Sequence, residues 1–204
     1  MEQIYSEDGT LLFEGGFKGK KRNGPSKTFY PNGTLMLEGH YINGKRDGDA
    51  KIYAEDAKLA IECKFDDGVE SGEWRYYNAN GTLSKQGVLK NGREDGEWLF
   101  FDENGNISEK GSYKDGQKQG EWIEYYENGN TKKVLSYKKG IIDGKAEFFY
   151  PNGACKEKGQ YKNGHENGKW HEYDENGLNT GSGEYRNGKK IGVWRGQELE
   201  EIIS

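Results

Sequence analysis

The sequence has few apolar residues and no long apolar run. Only 31% of its 204 residues are hydrophobic, while 32% are charged. A chain of this length usually forms one or two compact domains, but this composition does not suit a large core. Low hydrophobicity with many charges can indicate disorder, yet the aromatic residues, at 13%, recur at fixed spacing. We therefore expect a thin structure in which each segment packs only against its neighbours.

An excess of positive charge is also missing. The net charge is −5 at pH 7, so the chain lacks the basic surface that nucleic-acid binding requires. The basic cluster at Lys18–Arg22 is typical of a solvated loop. No segment is apolar enough to span a membrane, and we expect no membrane contact. No signal peptide is recognisable, but removal of a leader before Met1 would leave the same sequence. A cytoplasmic and an exported location therefore both stay open.

Signatures of enzymes are missing as well. None of the three histidines, His40, His165 and His171, has a Cys or His partner at zinc-ligand spacing. Neither a nucleophile elbow nor a Walker loop occurs. Turns such as Asp102–Gly105 lack the twelve-residue ligand set of a calcium loop. We predict that the chain is not an enzyme and has no catalytic, cofactor-binding or metal-binding residues.

One glycine recurs every 24 residues, and this period is the main signal in the sequence. We call it the marker glycine and count positions within each repeat from it. Self-similarity at a fixed period of this length indicates a repeat array. Residues 1–204 are therefore predicted to form a single array of about eight units, which begin near Gly24, Gly48, Gly72, Gly96, Gly120, Gly144, Gly168 and Gly192.

Other residues keep the same register. Position 2 carries all five tryptophans, namely Trp74, Trp98, Trp122, Trp170 and Trp194. Position 5 is aromatic in most units, position 15 is usually glycine, and position 17 is again mostly aromatic. An Asn-Gly or Asp-Gly step follows at positions 8 and 9, and a second one at positions 19 and 20. Aromatic and β-branched residues between turn signals favour β-strands.

The first turn can be assigned a type. Proline precedes Asn-Gly in Tyr30–Gly33 and Tyr150–Gly153, which suits a type I turn followed by a left-handed glycine. That register pairs position 5 with position 11, as in Phe29 with Leu35, Tyr77 with Leu83 and Phe101 with Ile107. The predicted fold is all-β: an extended single-layer antiparallel β-meander of about eight 24-residue hairpin repeats, with about sixteen strands.

The sequence does not decide which face of the sheet carries the tryptophans. Strict alternation puts positions 5, 11, 15 and 17 on one face and the tryptophans on the other. Either the marker glycine kinks the strand and turns the tryptophans back, or both faces carry aromatics.

Cys63 and Cys155 lie four units apart, roughly 38 Å at ~4.8 Å per strand. They cannot form a disulfide within one chain, which requires Cα atoms within about 7 Å.

The pattern Gly-x-Trp-x-x-Tyr-x-x-Asn-Gly-x-Leu, followed by Gly-x-Tyr-x-x-Gly, resembles the MORN repeat in its bacterial variant form. Gly72–Tyr77 and Gly168–Tyr173 are typical copies, and the resemblance covers essentially the whole chain. It implies hairpins stacked in a long, twisted sheet with a grooved surface. Bacterial proteins of this kind are similar to the YwqK-like antitoxins, which are partners of secreted toxins. Other arrays of the family are linked to membrane lipids or to scaffolding between proteins.

Two places depart from the pattern. Ala50, Ala57 and Cys63 replace Trp, Gly and Gly in one unit, and Leu135 and Ala146 replace Gly and Trp elsewhere. Beside the second departure, positions 21 and 22 are Ile141-Ile142, whereas most units carry charged or polar residues there. The two isoleucines form either a contact patch or local packing that compensates for the missing tryptophan.

Exposed apolar groups on a polar array are candidate contacts. The predicted partner-binding residues are Ile141, Ile142, Trp74, Trp98, Trp122 and Tyr126, with repeat packing as the alternative for each aromatic residue. Three functions follow. The first is a non-catalytic protein-binding module, most concretely an antitoxin- or immunity-like partner of a bacterial toxin. The second is a structural or cell-surface scaffold or adhesin segment. The third is a carbohydrate or lipid binder that uses exposed aromatic residues.

Overall fold

The computed structural model describes residues 1–195, and every regular element within them is a β-strand. Two units are distinguished, residues 1–105 (unit 1) and residues 106–204 (unit 2). In both, the strand pairings are antiparallel and follow the order of the chain, so each unit is a meander of hairpins. The all-β meander predicted from the repeat is thus confirmed within each unit.

The strands of unit 1 are short and follow the repeat. They are β1 (Glu2–Tyr5), β2 (Leu11–Lys18), β3 (Lys21–Phe29), β4 (Leu35–Ile42), β5 (Lys45–Arg46), β6 (Gly48–Tyr53), β7 (Leu59–Asp66), β8 (Val69–Glu70), β9 (Gly72–Tyr77), β10 (Leu83–Lys90), β11 (Arg93–Glu94) and β12 (Gly96–Phe101). The two-residue strands β5, β8 and β11 are the first parts of β6, β9 and β12, from which a single residue separates them. These interruptions raise the strand number above the predicted sixteen.

Unit 2 repeats the same hairpins with uninterrupted strands. They are β13 (Ile107–Lys114), β14 (Gln117–Tyr125), β15 (Thr131–Lys138), β16 (Ile141–Phe149), β17 (Cys155–Lys162), β18 (His165–Tyr173), β19 (Asn179–Arg186) and β20 (Lys189–Arg195). The part of the last repeat beyond residue 195 lies outside the described residues.

Both predicted turns are present, and they differ in type. In the first, Gly33 has a φ of 82° and its N–H donates to the carbonyl of Tyr30 at 2.9 Å, which fits the predicted type I turn with a left-handed glycine. Phe29 pairs with Leu35, as predicted. In the second, Asn43 and Gly44 both have positive φ, 52° and 90°. That is the geometry of a two-residue type I′ turn.

The marker glycine has a backbone conformation that explains its recurrence. In all eight units its φ lies between 70° and 118°, a region that side chains with a Cβ rarely adopt. The strand bulges there: Lys110 pairs with Ile123, but Ser112 pairs with Gln119. Any other residue at this point would be strained.

A second bulge corrects the predicted assignment of faces. Position 12 is an extra residue in each described hairpin: Tyr77 pairs with Leu83, but Tyr76 pairs with Lys85 and Trp74 with Gly87. The bulge reverses the alternation after position 11. The expectation that positions 5, 15 and 17 share a face is therefore wrong. Positions 2, 15 and 17 share one face, the tryptophan face, and the aromatic residue at position 5 lies on the other.

On the tryptophan face, four of the five indoles lie flat over the glycine of the preceding strand. A Cβ added to Gly111 would lie 2.2 Å from the ring of Trp122, and the indole N–H donates to the carbonyl of Ser112 at 3.0 Å. Tyr113 packs edge-on against the same ring at 4.9 Å. The arrangement recurs for Gly87 with Trp98 and for Gly159 with Trp170.

At Ala146, where the tryptophan is missing, the opposite position of the preceding strand changes with it. Ala146 is fully buried and lies directly across from Leu135, which fills the space of the indole. Ala50 lies across from Cys63; on its other side it is next to Gly39, where an added Cβ would be 3.1 Å away. The core is thus one side chain thick on one face of the sheet.

The natural Leu135–Ala146 pair predicts a result for the Gly159–Trp170 pair. Trp170→Ala should cost about 3–5 kcal/mol, and Gly159→Leu alone should unfold the hairpin because its side chain would occupy the space of the indole. Combined, the two changes recreate the natural pair. Urea unfolding should show a coupling of about 1–3 kcal/mol in favour of the double variant. Costs that simply add would contradict this account of the core.

Ala57 offers a stabilising change. It occupies the turn position that is glycine in the other first turns of the described residues, and its φ is 65°. An L-residue in this conformation costs about 1–2 kcal/mol. Glycine avoids that cost but loses more conformational entropy on folding, which offsets part of the gain. We expect Ala57→Gly to raise the free energy of unfolding by about 0.5–1 kcal/mol in urea titrations. A lower midpoint would show that the turn is not strained.

Candidate functional site

The three tryptophans among the predicted binding residues lie in the core. Trp74, Trp98 and Trp122 expose only 4%, 1% and 2% of their surface. Rings covered to this extent offer a partner almost no area, so we treat them as support for the strands. Sequence periodicity alone could not separate a packed ring from an exposed one.

The two isoleucines, Ile141 and Ile142, lie in different environments. Ile142 packs against the cluster of Leu135, Ala146 and Trp170 on the tryptophan face. Ile141 points to the other face and is 52% exposed. Neighbouring residues of a strand point to opposite faces, so only one of the pair can compensate for the missing tryptophan. The other remains available on the surface.

Tyr126 acts as a tie between neighbouring hairpins. Its hydroxyl donates to the carbonyl of Phe149, in the following repeat, at 2.7 Å. In the same way, Tyr30 donates to the carbonyl of Tyr53 and Tyr150 to that of Tyr173. Its half-buried ring also lines a depression of about 440 Å³ with Lys132 and Pro151. The hydroxyl is occupied, and the part of the ring that lines the depression is left for a ligand.

The face opposite the tryptophans is charged, and we call it the charged face. It carries positions 1, 3, 14 and 16 together with the aromatic residue at position 5. Tyr53 and Tyr77 lie here, and each donates its hydroxyl to a position-14 glutamate at 2.7 Å, to Glu38 and Glu62. Side chains of this face are therefore partly ordered by one another but remain open to solvent.

In unit 1 the charged face is grooved. Depressions of about 450 and 530 Å³ share Asp49, Ala50 and Lys51, and the second shares Glu73 and Arg75 with a third of about 320 Å³. The three therefore form one groove across the strands. The grooved surface that the family resemblance implied is present in this unit.

Unit 2 has a separate depression of about 450 Å³ on its charged face. Its charged residues are mostly basic, with Lys145, Lys158, Lys169 and His171 around Glu147. Lys145 pairs with Glu147 at 2.9 Å. This local change in charge was not predicted, although the residues at positions 1 and 14 of the sequence display it directly.

Basic side chains at position 22 cover parts of the tryptophan face. The ammonium of Lys118 lies 3.7 Å above the ring of Trp122 and 2.8 Å from a carboxylate oxygen of Glu109. Lys190 lies 3.8 Å above Trp194. Such cation–π contacts contribute about 0.5–2 kcal/mol, and they add to the cover over this face.

The cysteines and the other metal-ligating side chains are dispersed over residues 1–195. No set of three metal-ligating side chains lies together there. Burial raises the pKa of the Cys63 thiol to about 11, so it is protonated at neutral pH and a poor nucleophile. Both cysteines are free thiols. Within this same part of the chain, no helix is long and apolar enough to cross a membrane.

Comparison with protein families decides the family. The MORN repeat variant matches residues 22–43, 70–91, 94–115, 118–139 and 142–163, more than half of the chain. The chain belongs to this family. MORN repeats are non-enzymatic repeat modules that commonly bind proteins or membranes.

Other comparisons add little. No curated protein matches the chain. A structure of alternansucrase in complex with isomaltononaose is 20% identical, with a TM-score of 0.20, and the match covers 87% of this chain and 14% of that one. A structure of TcdB2-TccC3-TEV is 12% identical, with a TM-score of 0.21, and the match covers 98% and 16%. This MORN array thus spans less than a fifth of either chain, and TM-scores this low carry no argument.

The tryptophan face of unit 2 predicts a pH effect. Burial, and then the facing carboxylate of Glu172, raise the pKa of Glu157. A raised pKa in the folded state means that the ionised form costs stability at neutral pH, and the cost disappears as the pH falls through that pKa. Glu157→Gln should therefore stabilise the protein at pH 7 and make no difference near pH 4. Urea midpoints that shift equally at both values would contradict this.

Proposed function

We propose that this MORN array is a non-catalytic protein-binding module that acts as an antitoxin- or immunity-like partner of a bacterial toxin. The observation that carries the proposal is Ile141, a large apolar side chain that is 52% exposed at a position where the neighbouring hairpins carry polar residues. Apolar anchors of this kind supply more binding energy than charges at the rim of an interface.

The surroundings of Ile141 support a contact surface. The residue lies directly across the turn from Lys138, and its methyl group is close to Gly164 of the next turn, 3.6 Å from where a Cβ would be. The same position in the neighbouring hairpins carries Gln117 and His165, both exposed. The partner should therefore offer an apolar pocket with acidic groups beside it.

Carbohydrate or lipid binding through aromatic residues has less support. Among residues 1–195, Tyr5 is the one exposed aromatic residue, and the others are buried or half-buried. A stacking platform requires accessible ring faces, and in this array the rings are used to pack the strands. A surface scaffold would use the same contacts as a protein-binding module, and no feature of the described residues favours it separately.

The isoleucine pair gives a direct test of the binding surface. Ile141→Lys should weaken binding of a captured partner at least about tenfold, which corresponds to a loss of about 1.4 kcal/mol, and leave the melting temperature unchanged. Ile142→Lys should lower stability by about 1–2 kcal/mol, because it removes a half-buried apolar side chain. Gln117→Lys adds the same charge at the equivalent exposed position and should change neither. Affinity is measured by calorimetry with the purified partner.

The toxin assignment needs its own measurement. The captured partner is expressed alone and together with the array in the same host. If the assignment is correct, the partner alone stops growth, and the parent array restores growth while the Ile141→Lys variant does not. A harmless partner would contradict the antitoxin role but leave protein binding intact. Equal capture by the parent and the Ile141→Lys variant would contradict the binding surface.

A further inference from the structure

The charged face changes sign along the chain at equivalent positions. In unit 1, positions 1 and 14 are mostly acidic, and position 3 is basic. The acidic residues are Glu14, Glu38, Asp49, Glu62, Glu73 and Glu97, and the basic residues are Lys27, Lys51 and Arg75. Leu99 is the exception at position 3.

In unit 2 the same positions carry mostly the opposite charges. The basic residues at positions 1 and 14 are Lys110, Lys145, Lys158 and Lys169, and the acidic residue at position 3 is Glu147. Glu121 at position 1 and Arg195 at position 3 are exceptions that keep the charge of unit 1, and other residues at these positions, such as Ile123, Val134 and Ser182, are uncharged. Because each position occupies the same place on the sheet in every repeat, opposite charges lie at equivalent places on the charged faces of the two units.

Several of these charges are not neutralised by neighbours. Within unit 1, Arg75 pairs with Glu73 at 3.0 Å and with Glu62 at 3.8 Å, whereas Asp49 and Glu97 have no ion pair among the described residues. In unit 2, Lys158 and Lys169 likewise have none within residues 1–195. Surface charges without partners, repeated at a fixed spacing, favour an opposing surface with the inverse pattern.

We propose that the charged face of unit 1 docks on the charged face of unit 2 in a second copy of this chain. The chain itself supplies the inverse pattern, and the occupant is therefore a second copy rather than a different protein. The inference rests on the charges at positions 1, 3 and 14 and not on Ile141, so it stands apart from the proposed function. Exposed ion pairs contribute little each, and the association should be weak, specific and sensitive to salt.

Charge reversal with a mixing step tests the proposal. One variant carries Glu14→Lys, Asp49→Lys and Glu97→Lys, which makes both units basic. The other carries Lys110→Glu, Lys158→Glu and Lys169→Glu, which makes both units acidic. A control variant carries Lys20→Glu, Lys58→Glu and Lys139→Glu in exposed loops, with the same change in net charge as the acidic variant. Melting temperatures establish that all four proteins are folded.

Sedimentation equilibrium gives the readout. At about 0.01 M salt, where the Debye length is about 30 Å, the mass of the parent should rise above 23.2 kDa with concentration. At about 1 M salt, where the Debye length is about 3 Å, its association should be at least tenfold weaker. The basic and acidic variants should each remain monomeric and should associate when mixed, while the control variant behaves as the parent.

Four results would overturn the proposal, and the first three concern which proteins associate. They are a parent that stays monomeric at low salt, a control variant that loses association as fully as the acidic variant, and a mixture of the basic and acidic variants that does not associate. Association of the parent that persists unchanged at high salt would also contradict it, because the contact would then not depend on charge.

Discussion

The indole ring that lies flat over a glycine of the neighbouring strand determines how each hairpin is held. The missing Cβ lets the ring approach the backbone, and the ring removes that backbone from water. Its N–H then donates to a carbonyl on the same strand, as Trp122 does to Ser112. Because position 17 adds edge-on aromatic contacts, one thin layer of rings supplies a core that the composition could not have built in a compact domain. The other face is left free for charged residues.

The exceptions in the chain follow from the same contact. Leu135 and Ala146 exchange the large and the small partner across the strands. Cys63 keeps a side chain where glycine is usual, and Trp74 in the next strand is buried with no hydrogen-bond partner for its indole nitrogen in the described residues. An unsatisfied buried donor costs about 1–3 kcal/mol. Trp194, near the end of the described residues, also lacks a partner for this atom; nothing in the structure explains that case.

The sequence was sufficient for the period, the hairpins and the first turn type, because glycine, proline and Asn-Gly steps act locally. It was not sufficient for the faces. The bulge at position 12 falls on residues as different as Met36, Ser84 and Lys132, so no residue type predicts it. One extra residue in the strand moves every later side chain to the opposite face of the sheet. The separate roles of Ile141 and Ile142 could have been predicted from alternation within their strand. The burial of Trp74, Trp98 and Trp122 required knowledge of which face is covered.

Exchange of the indole N–H protons tests the central claim most directly. In protein labelled with ¹⁵N at tryptophan, the indole signals of Trp98, Trp122 and Trp170 should persist in D₂O and disappear only at the rate of cooperative unfolding, because each proton is held by a backbone carbonyl of the preceding strand. Exchange of all three as rapidly as in a free indole would contradict a core built from rings over glycine.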